Sequence, residues 1–236
     1  MRFPDPLLHG RLLRRYKRFL ADVTLDDGSE VVAHCANPGS MMGLATPGAG
    51  VWLSPSTNPA RKLKYSWELV EADSGLVGIH TGRANALVAE ALEGGRIREL
   101  AGYASRRAEV RYGSNSRVDF LLESPAGKPG PACYLEVKSV TLKRGGNLAE
   151  FPDAVTARGS KHLAELTEVV RGGERAVLLF LVQRNDCSAV AAAADIDPAY
   201  AAALDGALDE GVEVLCYGCS LDPSGISLDA ALPLAR

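Results

Sequence analysis

Arg-Val-Asp-Phe-Leu-Leu at 117–122 and Tyr-Leu-Glu-Val-Lys-Ser-Val at 134–140 decide the fold of this chain. Both runs are rich in aliphatic and aromatic residues. A Ser/Pro/Gly/Lys turn region at 124–131 separates them, so they predict two strands. Side chains alternate along a strand, which puts Glu136 and Lys138 on one face. A charge in so apolar a strand is costly unless it is paired or binds a metal. Asp119, Glu136 and Lys138 brought together would offer two carboxylates to a hard divalent cation, with an ammonium beside them. That set suits metal-assisted attack of water on a phosphodiester.

Working outward, the strands on either side predict an α/β sheet. Ala86 to Glu93 has helical composition, with Asn85 as N-cap and Gly94-Gly95 as the stop. Strands are expected at about 108–112, 117–123 and 133–140. Residues 153–171 predict a helix, with Leu163, Leu166 and Val170 at helical spacing and Gly172-Gly173 beyond it. Arg175 to Val182 predicts an apolar strand, Pro198 to Asp209 an alanine-rich helix, and Val212 to Tyr217 a last strand. This order implies a central sheet covered by helices on both faces.

The first eighty residues differ in texture. Phe19 to Leu25 and Val31 to Cys35 predict two strands joined by an Asp26-Asp27-Gly28 hairpin turn. Asn37-Pro38-Gly39-Ser40 breaks the chain. Val51 to Leu53, Tyr65 to Val70 and Leu76 to Ile79 are further strand candidates. Five or so short strands suggest a small barrel, the oligonucleotide-binding (OB) type being one option. We place the boundary near residue 84, giving an OB-type β-barrel at 1–84 and an α/β domain with a mixed sheet at 85–236.

Composition sets the outer bounds. A chain of 236 residues with 47% hydrophobic content can bury one large or two modest cores. It has no apolar run that would span a bilayer, and Met-Arg-Phe-Pro-Asp-Pro opens without the apolar core of a secretion signal. Five cysteines without scaffold spacing fit a reducing compartment, so a cytoplasmic protein with no membrane partner is expected. Cys216-Tyr-Gly-Cys219 has no second pair to complete a zinc site and reads as structural. The net charge of −3 conceals an asymmetry: residues 185–236 carry nine acidic side chains against one arginine. Everything before them is therefore net basic, which leaves room for a local polyanion-binding surface.

Several basic constellations fit that surface. Arg14, Arg15, Lys17 and Arg18 surround Tyr16, following Arg11. Arg61, Lys62 and Lys64 precede Tyr65 and Trp67. Cations with interleaved aromatics suit phosphate contact and base stacking. Arg158, Lys161 and His162 can share one helix face and would hold a scissile or neighbouring phosphate. Asp153 reads as the N-cap or first-turn acid of that helix. Glu90 lies off the apolar face formed by Leu87, Val88, Ala91 and Leu92, as a solvated glutamate would. Glu-x-Lys alone is commonly a charged outer strand face. The upstream Asp119, the apolar context and the strand–strand–helix order favour function here. In that reading Asp119 and Glu136 ligate Mg²⁺ or Mn²⁺, with the backbone carbonyl of Val137. Lys138 orients or deprotonates the attacking water, or steadies the charge developing on phosphorus.

These residues carry a resemblance. The blocks at 15–23, 58–70, 116–122, 136–142 and 151–163 are similar to the sugar fermentation stimulation protein A family, through nearly the whole chain. One departure is His34-Cys35-Ala36-Asn37-Pro38-Gly39-Ser40-Met41, where the family usually reads His-Cys-Pro-Asn-Thr-Gly-Ser-Met. The resemblance implies an N-terminal OB-type barrel and a C-terminal PD-(D/E)xK nuclease-like domain that binds DNA, with RNA also open. It places Asp119, Glu136 and Lys138 on the superfamily's core pattern and Glu90 on its helix acid. The family name records a sugar-utilisation phenotype and identifies no substrate. A regulator that binds DNA without cleaving it, and an enzyme acting on a small phosphorylated compound, are the competing readings.

Overall fold

Leu8–Tyr16 (β1) is a strand, although its arginines mark it in the sequence only as a charge cluster. Gly10 and Leu12 face inward while Arg11, Leu13 and Arg14 face out, the alternation a one-sided strand requires. Gly10 is needed there, because a Cβ would meet the Thr24 carbonyl at 2.5 Å. The strands Leu20–Leu25 (β2), Glu30–Cys35 (β3), Gly50–Pro55 (β4) and Tyr65–Ala72 (β5) follow. They pair in the order β3-β2-β1-β4-β5, and a parallel pairing of β3 with β5 closes the ring. This is the small OB-type barrel expected, filled by Leu12, Val23, Leu53 and Trp67. The computed structural model describes residues 1–73, 75–113, 116–127 and 130–235. The turn expected at 124–131 thus lies partly outside the described residues, at 128 and 129.

The short strand Gly75–Gly78 (β6) leaves the barrel: it pairs with β5, while Val77 bridges Arg184 of the second unit. The second unit runs through Arg83–Glu93 (α1), Ser105–Tyr112 (β7), Ser116–Glu123 (β8), Cys133–Val140 (β9), Leu148–Phe151 (β10), Ala157–Arg171 (α2) and Arg175–Val182 (β11). It continues through Ala189–Ala192 (β12), Pro198–Asp209 (α3), Glu213–Asp222 (β13), Gly225–Ala231 (β14) and Leu234–Ala235 (β15). The central sheet has the order β14-β13-β11-β9-β8-β7, with β9, β11 and β13 parallel and the outer strands antiparallel. Leu87 and Val88 of α1 pack on one face with Val177, Leu179 and Leu181. Leu163 and Leu166 of α2, with Tyr200 and Leu204 of α3, pack on the other with Leu178, Phe180 and Val182. Strand β11 is thus buried on both faces, which is why its sequence is a continuous apolar run.

Several elements depart from the sequence expectation. A small parallel sheet, β10-β12-β15, was not anticipated; strands of two to four residues are too short to carry a period. Helix α1 begins at Arg83 after Gly82, so Asn85 is not its N-cap. Helix α2 is capped by Thr156, whose side chain accepts from Gly159 N at 3.1 Å. Asp153 instead reaches the barrel, accepting from Met41 N at 3.1 Å and Ser40 Oγ at 3.3 Å. Residues 1–3 lie against the second unit, where Ile226 N donates to Met1 O and Phe3 N to Ser224 O. The five cysteines are free, and burial pushes the Cys216 and Cys219 thiols up to about 12, in keeping with structural roles. Among the described residues no helix is long and apolar enough to cross a membrane.

Candidate active site

Strand β8 slips in its alternation at Asp119. Val118 packs toward α2 and α3, yet Phe120, two residues on, packs toward α1. Glu109, opposite on β7, has a left-handed φ of 54°, the mark of a local irregularity in the ladder. The Asp119 side chain enters the space where β8 parts from β9. Its Oδ2 accepts from Val137 N, and its Oδ1 from Asn85 Nδ2, both at 2.7 Å. A carboxylate has taken the place of a ladder partner.

Glu136 and Lys138 share the α2 face of β9, as their spacing requires. Lys138 Nζ donates to Glu136 Oε1 at 2.8 Å. His162, on the buried side of α2, also contacts Glu136 Oε1 and lies 3.2 Å from Lys138 Nζ. Arg158 Nε donates to His162 Nε2 at 3.3 Å, which assigns the ring proton to Nδ1, so that Nδ1 donates to Glu136. Burial pushes the Glu136 carboxyl up, but His162 and Lys138 outweigh it and hold the group below its ordinary range. Asp119 goes the other way: burial and then the neighbouring Glu136 raise it, despite its two donors. Of the two carboxylates, Asp119 is therefore the one whose charge its surroundings disfavour. Glu136 Oε2 is buried and has no hydrogen-bond partner.

Such a pair fits a hard divalent cation. Mg²⁺ and Mn²⁺ sites commonly take one or two carboxylates and leave the remaining positions to water or substrate. Asp119 and the partnerless Glu136 Oε2 would supply the carboxylates. In an extended strand the N–H and C=O of one residue point the same way, so the Val137 carbonyl faces the edge where its N–H meets Asp119. Among the described residues, no cluster of three or more His, Cys, Asp and Glu side chains forms a ready-made cage.

The other expected residues divide. Glu90 is not brought to this cluster. It sits five residues beyond Asn85, about 140° around the helix, and its half-exposed carboxylate pairs with the Met1 ammonium at 2.7 Å. Asn85 is the α1 residue that reaches the site; read as a cap, it was missed. His162 is 3% exposed and serves Glu136, so it is no surface phosphate ligand. Lys161 Nζ lies 3.6 Å from Glu165 Oε1. Glu165 and the Tyr112 hydroxyl, both buried and without hydrogen-bond partners, were also missed. Burial and the charges of Glu136, Glu165 and Asp119 all raise the Tyr112 phenol, keeping it protonated. No sequence pattern marks these residues, since Tyr112 ends an edge strand and Glu165 reads as a helix-surface acid.

In the barrel the basic clusters are partly spent on structure. Arg14 pairs with Asp22 at 2.7 Å, its guanidinium over Tyr16. Arg15 donates to the carbonyls of Arg18, Asn37, Gly39 and Ser40, so it staples the 37–40 turn and is not free for a ligand. Arg61 donates to Ser66 Oγ, and Lys64 to the Asn58 and Pro59 carbonyls. Lys17, Arg18 and Lys62 are exposed.

Known proteins match this architecture from end to end. Residues 13–79 match the model of the SfsA N-terminal OB domain, and residues 82–225 that of the sugar fermentation stimulation protein RE domain. The sugar fermentation stimulation protein homolog of Paramagnetospirillum magneticum is 58% identical over 234 residues, covering 99% of this chain and 98% of that one. The homolog from Rhodospirillum centenum is 58% identical over 235 residues and covers the whole of both chains. Among solved structures, that of Pyrococcus furiosus SfsA in complex with Ca²⁺ superposes with a TM-score of 0.89 at 28% identity, over 100% of this chain and 98% of the other.

Proposed function

The chain belongs to the sugar fermentation stimulation protein family, and from that premise we propose that it is a DNA-binding nuclease dependent on Mg²⁺ or Mn²⁺. The observation that carries this reading is the half-buried Asp119 beside the buried Glu136, with Lys138 on one carboxylate and Glu136 Oε2 left without a partner. Asp119, Glu136 and the Val137 carbonyl would hold the cation. Bound there, it would polarise the phosphoryl group and lower the pKa of a coordinated water. Lys138 would orient that water or balance charge growing on the phosphoryl oxygens. His162 fixes Glu136 in its ionised form and orients its carboxylate, and Arg158 in turn orients His162. The Pyrococcus furiosus relative is described with Ca²⁺, a hard oxygen-seeking ion of the class this donor set suits.

The test is cleavage of single- and double-stranded DNA and RNA, with Mg²⁺, Mn²⁺ or chelator. Metal-dependent cleavage lost in Glu136→Ala is the expected result. Cleavage in chelator, or activity unchanged in Glu136→Ala, sinks the mechanism. A second reading is a regulator of sugar utilisation that binds DNA without turnover. It is favoured by one observation: both Asp119 oxygens already have protein donors. Tight binding with no cleavage of any of these substrates under either metal would decide for it.

A further inference from the structure

Lys17 and Arg18 make the β1–β2 turn, and both lie in the left-handed region, at φ 46° and 67°. Asparagine or glycine would hold that turn with less strain. Neither side chain has an ion-pair or hydrogen-bond partner among the described residues, and both are exposed. The turn is nevertheless pinned: Arg15 Nε donates to Arg18 O at 3.0 Å, and Cys35 N to Phe19 O at 2.8 Å. Strain kept where a simpler residue would serve points to a presented surface.

The surface it presents includes Phe19, 44% exposed, whose ring stacks on His34 with centroids 6.4 Å apart and planes at 26°. Near it, Arg18 and Asn37 line a cleft of about 350 Å³ between the barrel and the α/β unit. Arg18 enters it from the turn, and Asn37 from the chain beyond His34. Ser139 and Val155, which is 76% exposed, also line it.

We propose that Phe19 and His34 form a base-stacking platform for single-stranded polynucleotide. Lys17 and Arg18 hold its phosphates, and the strand continues into the cleft that Arg18 lines. The inference rests on the nucleic-acid reading above and narrows it. Bases inside a duplex already stack on each other, so only unpaired bases or a frayed end can use the platform. The substrate class is therefore a single strand, or a duplex with a single-stranded tail.

The test is fluorescence anisotropy with labelled 20-mers of oligo(dT) and oligo(U) and with a blunt duplex, in chelator so that nothing is cleaved. Phe19→Ala is expected to weaken single-strand binding about tenfold while leaving blunt-duplex binding unchanged, and Phe19→Trp to restore it. The double variant Lys17→Asn/Arg18→Gly suits the left-handed turn, so its melting temperature should not fall. Its binding should weaken, and the slope of log affinity against log salt should become shallower by about 1.4. Single-strand binding unchanged in Phe19→Ala, or equal losses for single strand and duplex, would overturn the platform. Binding in chelator is independent of hydrolysis, so the two readings fail separately. Phe19-dependent binding without cleavage under Mg²⁺ or Mn²⁺ removes the nuclease and keeps the platform. Metal-dependent cleavage with Phe19-independent binding does the reverse.

Discussion

Asn85 and Asp119 form the contact on which the site's charge balance turns. The amide donates to an aspartate that burial and Glu136 already raise. Asn85→Asp replaces that donor with a second carboxylate facing the first. Its melting temperature in chelator should fall, by the equivalent of about 1–3 kcal/mol for the lost hydrogen bond. Excess Mn²⁺ should recover most of the loss, because a ligand that binds only the folded state stabilises it. Calorimetry with and without Mn²⁺ checks this; a loss that Mn²⁺ leaves untouched would separate Asn85 from the cation. Gly113 is a second sensitive residue, at φ 55° with its missing Cβ only 2.8 Å from Glu165 Oε1. Gly113→Ala meets both backbone strain and a crowded carboxylate, so denaturant unfolding should put it about 1–3 kcal/mol below the parent. Asp119, Glu136 and Lys138 were legible in the sequence because charges inside apolar strands are conspicuous. Asn85, Tyr112 and Glu165 were not, since each is an ordinary residue until another element comes to face it.

At the scale of elements, α2 carries Arg158 and His162 to β9, and its first turn depends on Thr156. That hydroxyl caps Gly159 N, while Thr156 N donates to Asp197 Oδ2 at 2.7 Å. Thr156→Ala should cost about 1 kcal/mol and raise amide exchange in the first turn of α2, read by hydrogen-exchange mass spectrometry. Exchange confined to the parent's rate would show that tertiary packing alone holds the turn. The long elements were visible in the sequence: β9, β11 and α3 sit where the apolar patterns placed them. Strand β1 was hidden because only Gly10 and Leu12 of its residues are fully buried. The cap of α2 was misread because Asp153 and Thr156 are both good capping residues, and only the barrel's approach draws Asp153 away.

At the scale of the molecule, a buried charge cluster ties the two units together. Arg184, 1% exposed, donates to Asp186 Oδ1 at 2.7 Å, to Thr141 O at 2.8 Å and to Asp73 Oδ2 of the barrel at 2.9 Å. Lys143 adds an ion pair to Asp186 at 2.8 Å. Arg184→Met should cost about 3 kcal/mol, because it leaves the buried Asp186 carboxylate with Lys143 as its one remaining cation among the described residues, and should separate the unfolding of the barrel from that of the α/β unit in a denaturant titration. Burial would raise Asp186, but Arg184 and Lys143 overcome it and hold the group at about 2, below its ordinary value of 3.8. A depressed acid contributes stability that is complete above its unfolded pKa and lost as pH falls through the folded one. Stability should therefore decline by about 2 kcal/mol between pH 4 and pH 2 through this group. Asp186→Asn should flatten that part of the profile.

The sequence by itself determined the class of the fold, its barrel-then-sheet order and the three charged residues at its centre. It could do so because hydrophobic periodicity and misplaced charge are local properties. Tertiary structure decided which neighbours those charges meet. Asn85 arrives from α1 and His162 from α2, whereas Glu90 turns toward Met1. It also decided that Arg15 staples a turn while Lys17 and Arg18 stay exposed. Those outcomes depend on helix phase and on the approach of distant segments, and no window of neighbouring residues contains them.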